Sequence, residues 1–163
     1  QLTARPLFSL PIDKFPMELE LVELEPGENR FSDFRIVARP QGHSDPSIGM
    51  RLDDLFTYVT DTPCDEGTAE LARGTAMLLH ECWLDDEGYR EESANPDSEA
   101  LKTHSWVSGV AEIAAAAEVE FLALGHLNPD YREGRLRRME QSARRSFPGA
   151  ALLHDFQQFT LDE

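Results

Sequence analysis

Residues 121–131 read FLALGHLNPDY. An apolar run with strand character ends in an imidazole at His126, and Asn-Pro-Asp turns the chain at once. Just upstream, SWVSGVAEIAAAAEV (105–119) is dominated by Ala and sets Val107, Val110, Ala111 and Ala114 on one stripe, which predicts a helix. Downstream, the arginine-rich stretch 132–146 predicts a second helix. Helix, strand and helix in succession imply an α/β layer, in which strand ends and the loops after them carry the chemistry. His126 is then either a half-buried imidazole bonded to a carbonyl or a metal ligand.

The same alternation extends towards the N-terminus. LFTYVTDT (55–62) and TAMLLHE (75–81) read as buried strands, and CDEGTAELARG between them suits a short helix closed by Gly74. MELELVEL (17–24) and FRIVARP (34–40) alternate apolar and polar residues and predict a hairpin turning through EPGEN. The polar stretch 85–104 predicts an exposed active-site-type loop or a disordered excursion, and AALLHDFQQFTL (150–161) predicts a terminal strand pair. Residues 1–16, punctuated by proline, read as a linker, leaving 17–163 as the folded unit.

Composition narrows the function. With 163 residues, 40% of them hydrophobic, the chain can bury one core. A net charge of −16 opposes long-range attraction to a polyanion, so nucleic-acid binding requires a localised basic surface. Arg132, Arg135, Arg137, Arg138, Arg144 and Arg145, gathered in one predicted helix, are the candidate, with a solvated, carboxylate-balanced face as the alternative. No apolar run approaches the roughly 20 residues of a bilayer span, so no membrane partner is expected and the expected location is the cytoplasm. Cys64 and Cys82 are too few for a disulfide framework or a thiolate zinc site and read as reduced thiols.

Polar residues recur at the ends of the predicted elements. His43 follows the second hairpin strand, Asp61 ends one buried strand, His80 and Glu81 end another, His104 stands before the Ala-rich helix, and His126 ends the next strand. Each has a plain explanation alone, as cap, turn or core residue. Together, imidazoles and a carboxylate at one sheet edge form the donor set that borderline-soft divalent metals prefer.

In this order, GHSDPSIGMRL, YVTDT, LLHECW and THSWVSGVAEIAAAAEVEFLALGHLNPDY resemble the C-terminal half of the metallo-β-lactamase fold hydrolases, in the ribonuclease Z-like branch. The resemblance implies half of an αββα sandwich, a mixed sheet with helices on one face. It implies His43, Asp61 and His126 as metal ligands, with Asp61 bridging two divalent ions, zinc first and manganese or iron as alternatives. The family's His-Glu-Ala-Thr appears as His80-Glu81-Cys82-Trp83 and its His-Ser-Thr as His104-Ser105-Trp106. His104 is thereby implied as the general acid and Glu81 as the group that orients it. The implied activity is metal-dependent hydrolysis, foremost of a phosphodiester by a metal-bridged hydroxide, with ester, lactone or sulfate-ester hydrolysis or a non-catalytic interaction module as alternatives. The family signature His-x-His-x-Asp-His is absent from these 163 residues. A second polypeptide or further segment carrying it is therefore an expected partner, alongside a small phosphodiester, ester or RNA substrate and self-association of the full protein. Two departures stand out: Thr60 occupies the usual Gly position before Asp61, and only 17 residues separate His43 from Asp61, where ribonuclease Z tends to carry a long insertion.

Overall fold

The computed structural model describes residues 20–161. It comprises β1 (Gly27–Arg30), β2 (Arg35–Pro40), β3 (Ile48–Leu52), β4 (Phe56–Val59), α1 (Glu66–Ala72), β5 (Met77–Cys82), α2 (Asp86–Ser93), α3 (Glu99–Thr103), α4 (Val107–Ala117), β6 (Phe121–Leu127), α5 (Glu133–Ser146) and β7 (Ala150–Leu152). The strands form one sheet in sequence order. β1 to β4 pair antiparallel, and β4 to β7 pair parallel through helical crossovers. The result is the expected mixed α/β layer.

Side-chain alternation assigns the two faces. Val37, Val59, Leu78, Leu122, Leu124 and Leu152 point to one side and join a single core with α1, α4 and α5. Val107, Val110, Ala111 and Ala114, the predicted stripe, are all fully buried there. Small side chains let helices pack closely, and Ala114 of α4 and Ala143 of α5 are both fully buried in this core. Gly109 is required at one such approach, since a Cβ there would lie 2.6 Å from Trp106 and 2.8 Å from the Cys64 sulfur. Gly74, at φ +69, ends the α1 region in the left-handed conformation that glycine adopts without strain.

The opposite face is apolar and carries no helix among the described residues. Register and alternation place Ile36, Met50, Phe56, Met77, Leu79 and Phe121 on it. Among the described residues the C-terminal segment crosses one end of it, where the Phe159 ring lies 5.1 Å from that of Phe121. Beside it is a hollow of about 350 Å³ lined by Phe56, Met77, Leu79 and Leu153.

Four expectations need correction. Of the strand expected over 17–24, residues 17–19 lie outside the described residues and 20–24 are not strand; Leu21 and Val22 are exposed, with no face among the described residues to receive them. The hairpin instead uses Gly27–Arg30 and turns at 31–34, closed by Phe31 N–H donating to Phe34 C=O and by stacking of the two rings. Strand β3 was not expected, since Gly49 interrupts its short apolar pattern. The supposed loop 85–104 contains α2 and α3, each started by a side-chain cap, Asp85 on Gly88 N–H and Ser98 on Leu101 N–H. Of the terminal strand pair only β7 forms; the chain then turns, with Gln157 N–H donating to His154 C=O. The linker reading of 1–16 lies outside the described residues.

Candidate metal and proton-transfer site

The strand ends meet at one edge of the sheet. β4 delivers Asp61 through a Thr60 carbonyl that accepts from Gln41 Nε2 at 2.6 Å and from Ser47 Oγ at 3.0 Å. Asp61 itself has φ +55, a left-handed conformation that a non-glycine residue adopts at a cost of about 1–2 kcal/mol. At the end of β6, Glu81 pairs with Gly125 and Cys82 with Leu127, so His126 is the extra residue of a bulge, at φ +44. Both strained residues are thereby turned out of the sheet towards each other. Asp61 Oδ1 lies 3.5 Å from His126 Nε2 and 3.8 Å from His43 Nε2. His43 hangs from the loop after β2, with Asp45 N–H pointing at its Nδ1 at 3.2 Å.

Glu81 sits behind this cluster with no exposed surface. Its Oε1 accepts from the backbone N–H of Thr62 at 2.9 Å and of Ser105 at 3.2 Å, and its Oε2 bonds His104 Nδ1 at 2.8 Å. Ser105 Oγ also donates to Thr62 C=O at 2.7 Å, tying the loop after β4 to the segment before α4. With Nδ1 committed to a carboxylate, Nε2 is the atom His104 offers for chemistry. The Trp83 indole stacks on the His104 ring at 4.6 Å and 14°, and lies 5.5 Å from the His126 ring.

The donors suit a divalent metal. Two atoms each about 2.1 Å from one tetrahedral ion are about 3.4 Å apart, close to the Asp61–His126 and Asp61–His43 separations. Donor atoms of His43, Asp61 and His104 lie within 4.8 Å of one another, as do those of Glu81, His104 and His126. Ligation by His43 Nε2 moves that ring's proton to Nδ1 and so breaks the contact with Asp45 N–H.

His80 points the other way, into the helical side of the sheet. It is fully buried, its Nδ1 donates to the Glu81 carbonyl at 2.8 Å, and burial holds its pKa below the usual imidazole value. Burial pushes the Cys64 thiol up to about 11 and the Cys82 thiol well above its usual value, so both are unreactive near neutrality.

Sequence reasoning overlooked Trp83, which was noted only as the last residue of His80-Glu81-Cys82-Trp83, and Gln41 and Ser47, whose role depends on β3 folding back. Of the six arginines over 132–145, three are committed to pairs. Arg135 grips Asp85 through two bonds of 2.6 Å and covers the Tyr131 ring, Arg137 pairs with Glu133, and Arg144 pairs with Glu140 and donates to Ala150 C=O. Arg132, Arg138 and Arg145 have no ion pair among the described residues.

The same architecture occurs in solved structures. The metallo-β-lactamase fold protein YhfI from Bacillus subtilis superposes with a TM-score of 0.64 at 18% identity, covering 80% of this chain and 51% of that one. The short form of human tRNase Z superposes with a TM-score of 0.60 at 18% identity, covering 83% of this chain and 46% of that one. The chain therefore has the metallo-β-lactamase fold. No family model matches it, but sequence relatives are specific. Ribonuclease Z of Gloeothece citriformis (strain PCC 7424) is 32% identical over 140 residues, 82% of this chain and 40% of the relative. Ribonuclease Z of Prochlorococcus marinus (strain NATL1A) is 30% identical over 145 residues, 86% of this chain and 43% of the relative. The chain belongs to the ribonuclease Z-like branch of that fold, as a C-terminal portion spanning less than half the length of these relatives.

Proposed function

We propose that this chain supplies one wall of a two-metal phosphodiesterase site of the ribonuclease Z type, with the remaining ligands brought by a segment carrying His-x-His-x-Asp-His. In this reading Asp61 holds both ions, His43 holds one and His126 the other. Zinc suits two imidazoles and a carboxylate best, with manganese and iron as alternatives. When bound, the metal pair neutralises phosphate charge and activates water. This chain's own contribution to the chemistry is proton delivery. His104, anchored through Nδ1 to Glu81, presents Nε2–H to the leaving oxygen and gives up its proton as the P–O bond breaks.

The observation that carries this reading is the pairing of buried Glu81 with part-exposed His104, which opens beside the Asp61 cluster. The relatives bearing the ribonuclease Z name support the substrate class. The apolar face of the sheet that carries no helix among the described residues supports the second half: a face of that kind is covered by a further layer in a stable fold. The short His43–Asp61 connection favours a second reading, a smaller phosphodiester in place of tRNA.

The test is turnover by the complete protein of a tRNA precursor with a 3′ extension and of a cyclic nucleotide, before and after chelation. Chelator-sensitive cleavage of the precursor supports the first reading and cleavage of the cyclic nucleotide alone the second. Absence of both activities in metal-loaded protein would contradict the phosphodiesterase assignment.

A further inference from the structure

Trp83 stands where the family pattern has threonine, and it makes the flattest aromatic contact with the proton-transfer pair. A single hydrogen bond from Nδ1 to Glu81 fixes one atom of the His104 ring but leaves the ring free to swivel about the N···O line. The indole removes that freedom. It lies within 14° of parallel at 4.6 Å, while the His43 ring meets His104 edge-on at 5.5 Å and 66°. Hydrogen bond and stacking together fix both the position and the plane of the imidazole, and therefore the direction of Nε2. An offset-stacked pair of this kind is worth about 0.5–1.5 kcal/mol beyond its burial, enough to populate one ring orientation over its alternatives about two- to tenfold.

We propose that Trp83 is a positioning residue that holds the His104 imidazole in its proton-donating orientation. The inference rests on the general-acid reading of His104. In the step it serves, a water oxygen bonds to phosphorus and its proton passes to solvent, the P–O bond to the leaving group breaks with its electron pair going to the leaving oxygen, and that oxygen takes the proton from His104 Nε2. His104 is left neutral, still donating through Nδ1 to Glu81, and regains its proton from water. Because Trp83 acts through His104 and not on the phosphate, its loss should matter only where protonation of the leaving group matters.

The experiment compares Trp83→Leu, Trp83→Phe and His104→Ala in the complete protein on two substrates, an RNA oligonucleotide and bis(4-nitrophenyl) phosphate. Trp83→Leu is expected to lower kcat on RNA by up to about tenfold with KM unchanged, to leave the nitrophenyl ester within experimental error of wild type, and to keep the metal content intact. Trp83→Phe, which keeps a flat face, should restore most of the loss. Independently of activity, the carbon-bound ring protons of His104, shielded by the indole in the wild type, should move downfield in the NMR spectrum of Trp83→Leu and only partly so in Trp83→Phe. Equal losses on both substrates, no recovery with phenylalanine, or unmoved His104 resonances would overturn the inference. His104→Ala separates the two levels: if it fails to discriminate between the substrates, the general-acid reading itself falls, whereas if it discriminates and Trp83→Leu does not, only the role of Trp83 falls.

Discussion

Replacing Glu81 with glutamine tests the proton-delivery pair with little change of shape. Glu81 Oε1 accepts two buried backbone N–H groups, from Thr62 and Ser105, so the amide oxygen of the new side chain must take that position. Its NH2 then faces His104 Nδ1. Two donors cannot share that contact, so His104 must accept at Nδ1 and become the neutral tautomer, with its proton on Nε2. A neutral imidazole is too weak an acid to protonate a leaving alkoxide. The kcat on RNA should fall about 10²- to 10⁴-fold, and bis(4-nitrophenyl) phosphate, which needs no proton, should be nearly unaffected. The folded state loses one charge-assisted hydrogen bond, about 1.5–3 kcal/mol. Glu81→Ala should cost more, because it strands two buried donors at about 1–3 kcal/mol each and opens a cavity. Steady-state kinetics on both substrates and urea denaturation of the complete protein measure these effects. Full activity of Glu81→Gln on RNA would refute the reasoning, as would a Glu81→Ala variant as stable as Glu81→Gln.

Asp85→Asn keeps the α2 cap but removes the charge that binds Arg135, and should destabilise the protein by about 1–2 kcal/mol at pH 7. The Arg135 hydrogen bond holds the Asp85 pKa below its ordinary value, so this contribution is complete above the unfolded value of about 3.9 and is lost as pH falls through the lower folded value. Denaturation curves of wild type and variant should therefore differ by a constant amount from pH 7 down to about 5 and converge in stronger acid; a gap that widens on acidification would refute the pairing. Leu79→Lys, on the sheet face that carries no helix among the described residues, should destabilise the complete protein by about 3 kcal/mol or more, because a covering half would bury an unpaired ammonium. Thermal unfolding unchanged by this substitution would mean that the face stays open to water.

Much of the architecture was legible because periodicity reports directly on burial. The stripe of Val107, Val110, Ala111 and Ala114 and the apolar runs of β5 and β6 face the densest part of the core. The N-terminal hairpin was misplaced because MELELVEL has the alternation of a strand although its described residues 20–24 pair with no strand, while Gly27–Arg30 has little alternation yet pairs with β2. α2 and α3 were missed because their stability rests on the caps of Asp85 and Ser98 and not on an apolar stripe. His43, Asp61, Glu81, His104 and His126 were named from residue type and position in the chain. What brings them together was not legible: the left-handed backbone at Asp61 and His126 and the doubly held Thr60 carbonyl depend on register. Trp83 escaped for a related reason, since stacking is a property of two rings in space and leaves no mark in spacing.

The central claim is that His43, Asp61 and His126 hold divalent metal in the complete protein, and elemental analysis of Asp61→Ala beside the wild type addresses it without reference to any substrate. Two zinc, manganese or iron ions per chain are expected in the wild type. The variant should retain less than one, because a ligand shared by both ions is lost. Equal metal content in the two proteins, or none in the wild type after purification with the metals supplied, would contradict the account.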